Sequence, residues 1–163
     1  MRAVQMIHPG EPLEAREIPI PSISEYDLLV RVRAAGICHS DAHYRAGRSS
    51  MGKLPITLGH EIAGEVEWAG SQVGTIKAGD RVALHYNISC GECYYCKNGN
   101  EQFCASVEML GHHVDGGYAE YVVVPARNAI LLPEEIPFVE GATLMCASAT
   151  ALHVIFPEQT FSP

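Results

Sequence analysis

Apolar positions along this chain fall in short runs separated by glycine, proline and aspartate. The runs MRAVQMI (1–7), DLLVRVRAAGI (27–37), EIAGEVEWAG (61–70), RVALHY (81–86) and YAEYVVV (118–124) are rich in β-branched, aromatic and aliphatic residues. Successive side chains of a strand point to opposite faces, so such runs between turn formers predict strands of a β-rich barrel or sandwich. The first 135 residues are therefore expected to be mainly β. Two stretches depart from this pattern. Asp41 to Ala46 allows a short helical turn, and after Pro137 the run FVEGATLMCASATALHVIF is long enough, and rich enough in Ala, Leu and Met, for a helix packed on the barrel. Pro157 and Pro163 bracket a polar tail, PEQTFSP, that stops the helix and is expected to fray. With no internal repeat or low-complexity tract, residues 1–156 read as one domain and 157–163 as a tail.

Composition narrows the class. A chain of 163 residues, 47% apolar and 18% charged, can bury one core but hardly two full domains. Its 11 basic and 19 acidic residues give a formal charge of -8, which disfavours nucleic acid because binding phosphate needs a basic face. No run approaches the roughly 20 apolar residues of a membrane span, and MRAVQMIHPGEP lacks the apolar stretch of a signal peptide. The sequence thus reads as cytoplasmic, with neither membrane nor nucleic acid as a partner. Six cysteines would suit three disulfides in a secreted protein, but the spacing and the missing export signal favour thiolates on metal in a reducing compartment.

Four of the six form C-x2-C-x2-C-x7-C: Cys90, Cys93, Cys96 and Cys104, flanked by Gly91 and Gly99. Four soft sulfur donors suit a tetrahedral zinc at about 2.3 Å, and a closed shell leaves no place for water or substrate. The expected site is structural, standing in for a core that SCGECYYCKNGNEQFC is too polar to build. Two disulfides, free thiols and an iron–sulfur cluster are the alternatives. The other two cysteines, Cys38 and Cys146, have no cysteine neighbour, so a second site must be assembled from distant segments. His60, in LGHEIAGEV between a glycine turn and a strand, is its natural third member. Two cysteines and one histidine would leave a fourth position open, as catalytic zinc requires.

The segments AAGICHSDAHYRAG, LGHEIAGEV, KAGDRVAL, the four-cysteine loop, GGYAEYVVVP and ATLMCASATALH occur in the order seen in zinc-dependent medium-chain alcohol dehydrogenases, and the chain resembles that family over about residues 1 to 156. The resemblance implies a GroES-like barrel with two zinc ions per chain. Cys38, His60 and Cys146 would bind the catalytic zinc, with Glu61 beside it as neighbour or alternate ligand. Asp41 would orient His60, since a ligating histidine usually gives its other N–H to a carboxylate; as a turn or N-cap residue it would have no such role. Ser40 would take the proton of the alcohol, and His43 would pass it to solvent. His39 sits where the family often places a cation against the cofactor pyrophosphate, or is a surface histidine. His8, His85, His112, His113 and His153 match no ligand position. Tyr44, Met51 and Tyr86 either line an apolar substrate pocket or pack the core.

The family's Rossmann domain, with its glycine-rich turn at a helix N-terminus, is not expected here: among the 15 glycines no two are separated by a single residue, so G-x-G is absent. The resemblance implies oxidation of a small alcohol to an aldehyde or ketone with NAD or NADP, the nucleotide-binding domain coming from elsewhere. The chain would then be an expressed domain, a truncated product or a subunit that borrows that domain, and the uncovered Leu144 to Phe156 face would favour self-association. The alternative is a non-catalytic zinc-binding module that keeps the barrel as a scaffold. A zinc-ribbon nucleic-acid binder is opposed by the acidic charge, and a zinc-free quinone reductase relative by the filled ligand positions.

Overall fold

A computed structural model describes residues 1–155. In chain order its elements are β1 (Arg2–Met6), β2 (Glu14–Glu17), β3 (Asp27–Gly36), α1 (His39–Arg45), β4 (Ile56–Thr57), β5 (Glu61–Ala69), β6 (Arg81–Leu84), β7 (Asn87–Ile88), α2 (Tyr94–Lys97), β8 (Glu108–Met109), β9 (Tyr121–Pro125), β10 (Ala129–Leu131), α3 (Phe138–Thr143) and α4 (Ala149–Ile155). Five strands form one antiparallel sheet in the order β10-β6-β5-β3-β9, and β2-β1-β4 form a second. The pair β7-β8 closes the base of the cysteine loop. The expected β-rich architecture is present, and all five predicted runs contribute strands.

Alternation explains the core. Leu28 and Val30 of β3, Ile62 and Val66 of β5, Val82 and Leu84 of β6, and Val122 and Val124 of β9 all turn to one side and form a single cluster with Ile76 and Leu110. Full burial of one such side chain contributes about 1.5–3 kcal/mol, whereas a solvent-screened ion pair such as Arg31–Glu67 contributes little. Packing across the sheet, not surface charge, therefore holds the barrel. A second cluster of Met6, Tyr44, Ile56 and Leu58 joins α1 to β1 and β4.

The helix after Pro137 runs through α3, a π turn (Leu144–Ser148) and α4. It packs on the barrel only at its start, where Gly141 and Ala142 are buried and a Cβ on Gly141 would run into the Leu132 side chain. Beyond the π turn every residue of α4 is exposed, Val154 at 71% and Ile155 at 67%, so the helix packs on the barrel through its first half and leaves uncovered the apolar face expected from Leu144 onward. The continuous helix Phe138–Ile155, 18 residues, is also long and apolar enough to cross a membrane by length and composition, contrary to the expectation from the sequence that no run approaches such a span. Its first turns are anchored in the barrel. Phe156 and the 157–163 tail lie outside the described residues.

Candidate metal centres

The first centre is local. After β7 the chain turns at Gly91 (φ 77°), makes the one-turn helix α2, turns again at Gly99 (φ 72°) and returns to β8. The Sγ atoms of Cys90 and Cys96 lie 3.8 Å apart, those of Cys93 and Cys96 3.4 Å, and those of Cys104 and Cys90 3.6 Å. A disulfide would bring two sulfurs to about 2.05 Å, and all six cysteines are free. A tetrahedron of sulfurs at about 2.3 Å from one zinc has edges of about 3.8 Å, close to what is seen. Four sulfurs within 4.8 Å of one another are also too close for each to hold its own iron of a cluster. The N–H groups of Glu92 and Cys93 aim at Cys90 and hold its thiol down at about 6. Around the sulfurs there is little else: Tyr94, Tyr95 and Phe103 are exposed, so the cysteines are the lobe's only core.

The second centre is assembled by the barrel. In the β3–β5 ladder Gly36 pairs with Glu61, which sets Cys38, just past the end of β3, beside His60, just before β5. Packing of α3 on β3 and β5 carries the π turn with Cys146 to the same place. The Sγ atoms of Cys38 and Cys146 are 4.0 Å apart, and they and the His60 ring lie within 4.8 Å of one another. Burial raises the Cys38 thiol, but hydrogen bonds with Ser40 and His60 outweigh it and leave it below the ordinary thiol range. Burial and the facing Cys38 push Cys146 up to about 11. Two sulfurs this close, of which only one ionises readily, form a donor set that fits a cation between them.

Asp41 organises this centre. Its buried carboxylate accepts the Cys38 N–H (3.0 Å) and the Tyr118 hydroxyl (3.0 Å) at Oδ2 and the Gly59 N–H (3.2 Å) at Oδ1. Oδ1 also lies 3.5 Å from His60 Nδ1, leaving the histidine's Nε2 as its free donor atom. Burial alone would raise Asp41, but His60, the Cys38 N–H and Tyr118 hold it below the ordinary carboxylate range. Burial alone would lower His60, and Asp41 and Cys38 hold it above the ordinary imidazole value.

Ser40 Oγ is 3.7 Å from Cys38 Sγ, and His43 follows it on α1, where residues three apart share a face. His39 is exposed, its ring edge-on to His43 at 4.6 Å. Glu61 is buried, but it stands outside the group of three donor atoms and accepts the Ala147 N–H at 3.3 Å, tying β5 to the π turn. Tyr44 and Met51 belong to the core cluster. Tyr86 lies 5.3 Å from the His60 ring and, with His85, Met145, Thr150 and His153, lines a cavity of about 280 Å³. Tyr118 and Gly59 carried no signal in the sequence, because one reads as a strand residue and the other as a turn.

Comparison with known proteins fits this picture. Residues 24–134 match the family described as alcohol dehydrogenase GroES-like domain. The chain belongs to this family. Among other relatives of this alcohol dehydrogenase domain, the NAD-dependent alcohol dehydrogenase of Sulfurisphaera tokodaii is 41% identical over 163 residues, covering 95% of this chain and 47% of the relative. The cobalt- and zinc-bound thermostable alcohol dehydrogenase of Pyrobaculum aerophilum superposes with a TM-score of 0.91 at 35% identity, covering 100% of this chain and 50% of that one. A zinc-binding dehydrogenase of Sinorhizobium meliloti bound to NADP gives a TM-score of 0.80 at 41% identity, covering 87% and 41%. The chain spans about half the length of the curated relatives it matches.

Proposed function

We propose that this domain is the zinc-holding half of an NAD(P)-dependent alcohol dehydrogenase that interconverts a small alcohol with an aldehyde or ketone. The observation that carries the reading is the convergence of Cys38, His60 and Cys146 from three separate elements, with the Ser40 hydroxyl beside them. These three residues would hold a catalytic zinc, and Cys90, Cys93, Cys96 and Cys104 a structural one. A zinc ion held there with one open position would lower the pKa of an alcohol hydroxyl, and a nicotinamide cofactor would supply the hydride acceptor.

The chain's own residues supply the remaining functions. Ser40 accepts the hydroxyl proton and His43, on the same face of α1, exchanges it with solvent; imidazole is the side chain suited to that near neutral pH. Asp41 fixes the His60 tautomer with its proton on Nδ1. Glu61 braces the π turn that carries Cys146 and stands by as an alternate ligand. His39, exposed at the start of α1, would meet the cofactor pyrophosphate.

Metal counting tests this reading. The chain loaded with zinc or cobalt should hold two metal ions, and an added alcohol should shift the visible bands of cobalt in the three-donor site. A count of one, or bands indifferent to alcohol at millimolar concentrations, would sink it.

A further inference from the structure

We propose that Tyr118 is a positioning residue for the three-donor centre, its hydroxyl clamping the Asp41 carboxylate that orients His60. The inference rests on the reading of Cys38, His60 and Cys146 as a metal site and adds a residue to the group that builds it.

Tyr118 Oη lies 3.0 Å from Asp41 Oδ2 and 3.2 Å from the Gly36 carbonyl. One hydroxyl carries one proton, and the charged carboxylate is the stronger acceptor. Oδ2 then has two donors, the Cys38 N–H and Tyr118, while Oδ1 has the Gly59 N–H and faces His60. Each of these donors belongs to, or lies beside, a segment that carries a metal-facing residue. Removing the Tyr118 hydroxyl leaves Oδ2 with one neighbour and lets a buried carboxylate turn, and His60 turns with it. Burial and the Asp41 charge push the Tyr118 hydroxyl far above the ordinary phenol range, so it remains a donor.

The tyrosine is itself held on several sides. Its N–H donates to the Leu58 carbonyl (3.0 Å) and its carbonyl accepts the Val4 N–H (2.7 Å). Its ring lies over Gly59, a residue at φ 91° where any Cβ would collide with the ring. His60 is the next residue. The ring thus sits on the backbone that presents His60 while the hydroxyl grips the carboxylate that orients it. Phenylalanine would fill the same space and could not donate.

The test is carried out on the full chain with Tyr118→Phe, Asp41→Ala and the double variant. Cobalt affinity of each centre is measured by chelator competition and read from its own visible bands. Replacing a partner of a metal-ligating histidine typically costs 10–100-fold in affinity. Tyr118 acts one step further out, so Tyr118→Phe should weaken the three-donor centre about 10-fold, at the low end of that range, and shift its cobalt bands. The four-cysteine centre, as internal control, should be unchanged. In the Asp41→Ala background the same substitution should change affinity less than about twofold, because the group it acts through is gone. Unchanged affinity in Tyr118→Phe, even with a lowered melting temperature, would assign the hydroxyl a purely structural role and overturn the proposal. So would an equal loss in the Asp41→Ala background, a comparison that also settles the matter if the single variant loads poorly. One metal per wild-type chain would remove the metal reading itself, and this inference with it.

Discussion

The two cysteine-bearing regions reach similar donor geometry by opposite routes. In the 90–104 lobe four sulfurs come from fifteen consecutive residues, and among the described residues no buried apolar cluster lies beneath them. In the other centre Cys38 and Cys146 are separated by 108 positions, and their approach is set by the β3–β5 ladder, by α3 and by the carboxylate of Asp41. On the proposed reading the lobe would need its metal to fold, whereas the scattered centre is formed by a barrel with an apolar core of its own. That contrast explains how the scattered centre can present only three donors. A site that does not depend on its metal for folding can leave one coordination position to a ligand; a lobe whose only core is the metal has to close the shell.

The largest expected effect comes from breaking the lobe. Cys96→Ser should take the chain from two zinc ions to about one and open the 90–104 loop to proteases, while the cobalt spectrum of the three-donor centre persists. Structural zinc in small domains is worth on the order of 10–16 kcal/mol of apparent binding energy, far more than the loop's remaining contacts can replace. Loss of both metals together would show that the two regions are not independent, and the comparison would fail.

A smaller effect of opposite character is expected from Gly59→Ala. A side chain at φ 91° costs about 1–2 kcal/mol, and displacing the Tyr118 ring adds about 1–3 kcal/mol for overpacking. In a chain of this size roughly 2–5 kcal/mol lowers the melting temperature by about 4–20 °C. Since Gly59 also donates to Asp41, the three-donor centre should bind cobalt more weakly while the lobe keeps its affinity. Equal weakening of both centres, measured by chelator competition, would count against the separation.

What the sequence reveals divides along the same line. The lobe is legible because its chemistry is local: residue type and spacing alone limit the geometry. The main strands are legible because burial on one face imposes alternation on β3 and β9, while β5 and β6, covered on their other face by α3, read as nearly continuous apolar runs. The strand β2 leaves no trace, since all four residues of EARE are exposed. The strands β4, β7 and β8 have two residues each, too few for a period, and β10 has three. In the scattered centre Cys38, His60 and Cys146 were recognisable by residue type and by resemblance. Tyr118 was not, because its contact with Asp41 crosses 77 positions and a tyrosine entering a strand reads as packing. The exposed apolar face of α4 was legible for a related reason: apolar content predicts burial only when something in the fold covers it, and nothing among the described residues does.

The smallest expected effect is the sharpest control on the comparison. Gly99 turns the cysteine loop at φ 72°, a left-handed conformation like that of Gly59, but a Cβ there would meet no atom within 4 Å. Gly99→Ala therefore carries only the backbone cost of about 1–2 kcal/mol, equivalent to roughly 2–8 °C in melting temperature. Both centres should hold their metals at unchanged affinity, because the sulfurs are fixed to one ion rather than to surrounding side chains. If Gly99→Ala weakened the lobe's hold on cobalt as strongly as Gly59→Ala weakens the other centre, the lobe would depend on its framework as much as the barrel site does. The difference between a metal that builds its surroundings and surroundings that build a metal site would then not hold in this protein.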